Sequence, residues 1–338
     1  MLLDALSLAE PTASAARRAA HLCKHDLVSQ MVGEFPELQG VMGGKYLLAE
    51  GEPREVALAV LEHYLPRGAA DALPASDAGA VVALAERLEL LLSIYAKGER
   101  PTGSSDPYAL RRAGNGLLQI LWERGWRLDL PALLPRCTGQ WAELFPAFQV
   151  NSSALAAELA EFLRQRLVSL LEEEGLPVDV VQAVAGEGLA LERVLADPAD
   201  ARRRAELLQD LRRSGELAAV QAVVQRASRL AEKGTLASGV CSPAGVVEAS
   251  LFEKGSEAAM LEVLRKLEPV ATGREPDRYR LLARGLAESA TILAAFFDGA
   301  DSVLVMAEDP AVRRNRLNLL GVLRNQAAVL ADFNRLAG

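Results

Sequence analysis

The sequence predicts an all-α fold. Three observations carry that prediction: half of the residues are apolar, with Ala, Leu and Val dominant, only 5% are aromatic, and apolar residues recur at helical spacing. No segment alternates strongly enough to read as a strand, which would also favour more β-branched and aromatic side chains. A chain of 338 residues is long enough for two domains, each with its own core.

In chain order, residues up to about Glu10 are expected to fray, and Pro11 and Thr12 start a helix running through ASAARRAAHLCKHDLVSQMV. Arg17, Arg18, His21, Lys24 and His25 form its polar side. Pro36 and the glycines at 40, 43 and 44 break the segment KHDLVSQMVGEFPELQGVMGGKY into a tight turn. A second helix is predicted over 52–65, stopped by Pro66 and Gly68, and a third over 77–98. Ser105 or Asp106, with Pro107 at the first helical position, opens a fourth that runs to about Arg124. Gly114 and Gly116 lie inside it and cost stability unless another part of the chain approaches closely there.

Residues 128–150 read as a connection with short helical pieces, which divides the chain into domains at 1–135 and 152–338, joined by 136–151. Asn151, Ser152 or Ser153 caps a long helix to 175, and helices punctuated by Gly186, Gly188 and Pro198 follow. Further helices are expected over 215–234, in CSPAGVVEASLF, SEAAMLEVLRKLEPVA and PDRYRLLARGLAESATILAAFFDG, and from Asp309 to the end.

The net charge of −8 disfavours a general nucleic-acid coat protein, but it is unevenly distributed. Residues 1–135 carry −4, 136–200 carry −7 and 201–338 carry +3, so a polyanion would meet the last segment first. The three cysteines (Cys23, Cys137, Cys241) are far apart and form neither a metal pair nor a disulfide framework. With no basic apolar leader at Met1 and no apolar run of bilayer length, a cytoplasmic chain is expected.

Little in the chain resembles a reaction centre. All three histidines lie within residues 21–63, and no Ser/His/Asp or Cys/His set can be assembled. His25 and Asp26 are an adjacent His–Asp pair, and His21 sits one helical turn from His25. These three are weak metal candidates, since no earlier His and no well-placed later Asp complete a ligand set. The glycine cluster lacks the spacing and the Gly-Lys-Ser/Thr ending of a phosphate loop. PTGSSDP offers hydroxyls and N–H groups at a helix start, where an anion could sit or the residues could simply cap the helix. Arg111 and Arg112 lie one turn further on. Arg202, Arg203 and Arg204 form a second basic cluster, with Arg212 and Arg213 on later turns, and Arg313, Arg314 and Arg316 a third, in which Arg313 and Arg316 are i, i+3 neighbours able to reach one phosphate strand. On the residues alone, salt-bridged surfaces with Glu206, Glu308 or Asp309 are the preferred explanation of these clusters.

Four strings in one order add a different kind of information. KHDLVSQMVGEFPELQGVMGGKY, EHYLPR (62–67), PTGSSDPYALRR (101–112) and FFD with VMAEDPAVRRNRLNLL (296–320) resemble the β subunit of the bacterial two-subunit glycyl-tRNA synthetase. That subunit is usually about twice as long, and the resemblance falls on its C-terminal half. It implies an HD-like helical domain over 1–135 and, over 152–338, a helical body with an anticodon-binding domain of the arginyl-type synthetases. It implies tRNA(Gly) and a glycyl-tRNA synthetase α subunit as partners, with no DNA and no membrane. It also implies that no catalytic residue and no cofactor belong to this chain, ATP and Mg²⁺ being used at the α subunit. The arginines at 111, 112, 202, 203, 313, 314 and 316 become candidate tRNA contacts, and Tyr279, Phe296, Phe297 and Phe333 the aromatics available to unstacked bases. The competing readings are a metal-dependent HD-type phosphohydrolase and a helical scaffold that binds only protein.

Overall fold

A computed structural model describes residues 1–68, 71–275 and 277–337. Among these residues the regular structure is helical, apart from an isolated bridge between Thr102 and Ser105. No helix among them is long and apolar enough to cross a membrane. The chain forms two compact units: Met1–Leu170 with Gly188–Ala201, and Leu171–Glu187 with the residues from Arg202 onward.

The helices are α1 (Leu2–Ala5), α2 (Glu10–Leu22), α3 (Gln30–Glu34), α4 (Val41–Ala49), α5 (Arg54–Glu62), α6 (Asp77–Ala96), α7 (Leu110–Arg124) and α8 (Leu130–Leu144). Then follow α9 (Ser152–Glu173), α10 (Val178–Ala185), α11 (Leu191–Leu195), α12 (Pro198–Ser214), α13 (Leu217–Ala231), α14 (Gly255–Thr272), α15 (Arg278–Ala295) and α16 (Pro310–Ala328). Pro276, at the head of the segment read as the α15 helix, lies outside the described residues.

In the first unit α2, α5 and α6 pack together. Their contact is built from small residues: Ala15, Ala16 and Ala19 meet Ala57, Val60, Val81 and Val82. Small side chains let the axes approach, so dispersion contacts replace bulk. Gly44 lies within α4, where an added Cβ would stand 2.7 Å from the carbonyl oxygen of Ala57 on α5. Gly43 and Gly44 therefore do not form the turn expected of them; their lack of a side chain lets two helices touch. Gly40, at φ +79°, is the true turn residue.

Other expectations fail for identifiable reasons. The opening residues form α1, which packs against α6. The first long helix ends at Leu22, because Lys24 takes a left-handed conformation (φ +69°) and a 3₁₀ turn follows over His25–Val28. Residues 130–144 are the continuous helix α8 despite Pro135, with Asp129 accepting from the N–H of Ala132.

In the second unit, α13, α14, α15 and α16 form a bundle in which α14 packs on both α15 and α16, and α13 on α15 and α16. The expected helix in 241–252 is instead a loop with one 3₁₀ turn, Ala249–Leu251. Polar residues of α16 hold that loop by its backbone. Asn315 exchanges hydrogen bonds with Glu248 (2.8 and 2.9 Å), Asn318 donates to Val246, and Gln326 donates to Cys241 and to Leu264. Asn325 donates to Ala237 and Val240. Buried amides replace the hydrogen bonds that a helix would have supplied to this stretch.

Candidate functional site

Asp26 is fully buried. Its Oδ2 accepts from the backbone N–H groups of Gly40 (2.7 Å) and Gly43 (3.0 Å), closing the turn that launches α4. His25 does not face a shared metal position with His21: its Nδ1 lies 2.9 Å from the Leu22 carbonyl oxygen, and His21 ends α2 exposed, on the other side of the break at Lys24. The i, i+4 pairing of these histidines is therefore not formed. Among the described residues no three His, Cys, Asp or Glu side chains converge as a metal-ligating group. His63 is also buried, with Nδ1 against the Val60 carbonyl oxygen, and burial lowers its pKa from the ordinary histidine value, favouring neutral imidazole.

The neighbouring strings interlock in the same way. Glu62 accepts from the N–H of Ala75 and from the N–H and hydroxyl of Ser76, fixing the start of α6. The buried Arg87 donates to the carbonyl oxygens of Ala83, His63, Tyr64 and Pro66, and desolvation lowers its pKa to about 10. Gly116 on α7 leaves room for it, since a Cβ there would lie 2.6 Å from the Arg87 Nε. Arg67 donates to the carbonyl oxygens of Glu37 and Gln39. The most recognisable strings of this unit are joints between helices.

The start of α7 is closed to anions. Asp106, ahead of the helix, accepts from the N–H groups of Leu110 (2.8 Å) and Arg111 (3.0 Å) in its first turn, while Ala109 at φ +55° makes the bend. The helix was expected to begin at Pro107, and the PTGSSDP segment caps it instead. Arg112 is exposed and donates to the Arg67 carbonyl oxygen (3.1 Å). Arg111 opens on a cleft of about 550 Å³ that Tyr95, Arg100, Glu158, Glu161, Phe162 and Arg166 also line. Arg100 and Arg166 did not stand out in the sequence; each lies over an aromatic ring, Tyr95 at 4.1 Å and Phe162 at 5.8 Å. The spacings Tyr95–Arg100 and Phe162–Arg166 are the available sequence signals.

In the second unit the arginine candidates divide sharply. Arg202 is paired with Glu174 (3.0 Å) and Glu206 (3.1 Å), and Arg203 beside it is exposed. Arg316 is 3% exposed and bound to the fully buried Glu257 (2.8 Å), to Glu253 (2.7 Å) and to the Leu304 carbonyl oxygen (3.1 Å). It cannot share a phosphate strand with Arg313, contrary to the i, i+3 expectation. A signal for this lay in the sequence: Val312, Arg316 and Leu320 form one i, i+4 stripe, and its apolar members are buried. Arg313 donates to the Ala307 carbonyl oxygen (3.1 Å), and Arg314 is exposed. The two bonded arginines fix the loop before α16, which carries Leu304 at 71% and Met306 at 43% exposure. Of the four candidate aromatics, Tyr279, Phe296 and Phe333 are core residues; Phe297 is partly accessible, with Arg226 over its ring at 4.6 Å.

Comparison with known proteins locates the family. Residues 2–186 match the family model described as glycyl-tRNA synthetase beta subunit. Proteins named glycine–tRNA ligase beta subunit are similar over nearly the whole chain. The one from Acaryochloris marina is 49% identical over 98% of this chain and 46% of its own length. Those from a Picosynechococcus species and from Trichodesmium erythraeum are 45% and 44% identical, each over 99% of this chain and 47% of the relative. The chain thus spans about half the length of the curated relatives it matches.

Proposed function

The chain belongs to the glycyl-tRNA synthetase beta subunit family, and from that premise we propose that it is a tRNA-gripping part of a two-subunit glycine–tRNA ligase. It holds tRNA(Gly) while a separate α subunit, using ATP and Mg²⁺, joins glycine to the acceptor end. The contribution of these helices is positioning: an immobilised RNA meets the reaction centre without the entropy cost of a chance encounter. The HD-type phosphohydrolase reading is the weaker one: an oxygen of Asp26 is committed to two backbone N–H groups, and among the described residues no three His, Cys, Asp or Glu side chains form a metal-ligating group.

The observation that carries the proposal is the loop ahead of α16. Arg313 and Arg316 hold the carbonyl oxygens of Ala307 and Leu304, the side chains of Leu304 and Met306 are exposed, and Arg314 is exposed in the first turns of the helix. Exposed apolar side chains suit contact with unstacked bases, the form in which RNA loops are read, and an exposed arginine in the same unit suits a phosphate. Arg203 on α12 is a second exposed arginine of this unit. Arg203→Ala with Arg314→Ala is expected to weaken tRNA(Gly) binding and to flatten the dependence of log K on log salt by nearly one for each phosphate no longer neutralised. Filter binding over a salt series reads both quantities; an unchanged slope would remove these two arginines from the interface.

A further inference from the structure

The cleft bearing Arg111 lies wholly in the first unit and is assigned no role by the loop ahead of α16. Its acids are already matched: Glu158 is bound by Arg100 (2.8 Å), and Glu161 by Arg164 and Gln165. Arg111 is different. Its backbone N–H is taken by Asp106, but its guanidinium makes no hydrogen bond or ion pair with any described residue, although the side chain is half-buried. A half-buried guanidinium left unpaired is a charge poorly served by solvent, and an anion in the cleft would correct that.

The walls select among anions. Arg100 and Arg166 lie over the rings of Tyr95 and Phe162, which are themselves buried and 5.5 Å apart. Planar guanidinium groups backed by aromatic rings form platforms on which a base can stack. The volume of about 550 Å³ falls in the range of about 300–1,000 Å³ usual for small-ligand sites. A bare phosphate would leave much of it empty, and a duplex could not enter.

We propose that this cleft seats one unstacked nucleotide of an RNA strand, its phosphate on Arg111 and its base against the Arg100 and Arg166 platforms. The proposal rests on the RNA-binding reading and adds to it a second contact region with its own ligand chemistry. Free nucleotides share that chemistry, so the test has two arms.

Binding of a tRNA(Gly) transcript and of AMP would be measured for the unaltered protein, Arg111→Ala, Arg111→Lys and Arg136→Ala, the last removing an exposed arginine from α8 as a control for charge alone. Because the Arg111 side chain has no internal partner among the described residues, these variants should melt as the parent does. Expected for Arg111→Ala is a roughly tenfold drop in tRNA affinity with a salt slope lower by about one. Arg111→Lys should restore the slope, and Arg136→Ala should change neither quantity. One tRNA nucleotide protected from base-specific chemical modification in the parent complex should become reactive again in Arg111→Ala. If tRNA binds but Arg111→Ala behaves as Arg136→Ala does, the cleft proposal is overturned and the RNA-binding reading stands. Arg111-dependent AMP binding with unaltered tRNA binding would make the cleft a free-nucleotide site, which also overturns it. If the unaltered protein binds no tRNA, the broader reading fails first.

Discussion

Replacing Arg316 by alanine is expected to destabilise the second unit by about 3–5 kcal/mol, the cost of leaving a buried partner charge uncompensated. Glu257 would be that charge: it is fully buried, and it also accepts from the N–H groups of Glu253 and Lys254 at the start of α14. Removing Arg316 would further release the Leu304 carbonyl oxygen and so loosen the loop that presents Leu304 and Met306. With two units in the chain, a single melting temperature is a poor gauge. Amide hydrogen exchange resolved by peptide is the suitable measurement, with protection falling over 253–272 and 302–316 while α2, α5 and α6 stay unchanged. The double variant Arg316→Met, Glu257→Gln keeps the acceptor for the two N–H groups and removes both charges, and should recover much of the stability. A destabilisation below about 1 kcal/mol for Arg316→Ala, the usual worth of an exposed pair, would mean that the pair is not buried as described.

The second large effect is expected at Asp26. Asp26→Ala strands the N–H groups of Gly40 and Gly43 in the interior, each at a cost of about 1–3 kcal/mol. Asp26→Asn can still accept from both and should cost less. Urea unfolding, followed by the exchange of amides in α4 and α5, would measure the difference. Equal destabilisation in the two variants would contradict the assigned role and point to the charge of Asp26 rather than its acceptor geometry.

Much of the helix content could be read from the sequence because capping and periodicity act locally. Asn151 ahead of α9 and Asp309 ahead of α16 each accept from the first turn of their helix, as their positions suggested, and Ser76 does the same ahead of α6. What escaped sequence reading depends on distant partners. Gly43 and Gly44 look like a turn until α5 is seen lying against them. Residues 241–252 have the composition of a helix, but their backbone is satisfied by amides more than sixty residues away on α16. The candidate site was harder still. Arg314 and Arg316 are two positions apart, yet one faces solvent and the other is among the most buried charges in the protein. Charge patterning identifies a cluster, while the side of the helix that meets its neighbours decides which members can touch a ligand. The resemblance to a known family has a similar character, because the strings that carry it in the first unit, around Asp26, Glu62 and Arg67, are structural joints. The surface that would touch RNA lies partly at residues between and beside them.

Whether these helices hold one particular RNA is the central question. The most direct measurement is competition between tRNA(Gly) and a tRNA for another amino acid, for binding to this protein at two salt concentrations. Preference for tRNA(Gly) at both, with affinity falling as salt rises, is the predicted result. Equal displacement by the two RNAs, or binding of neither, would contradict it.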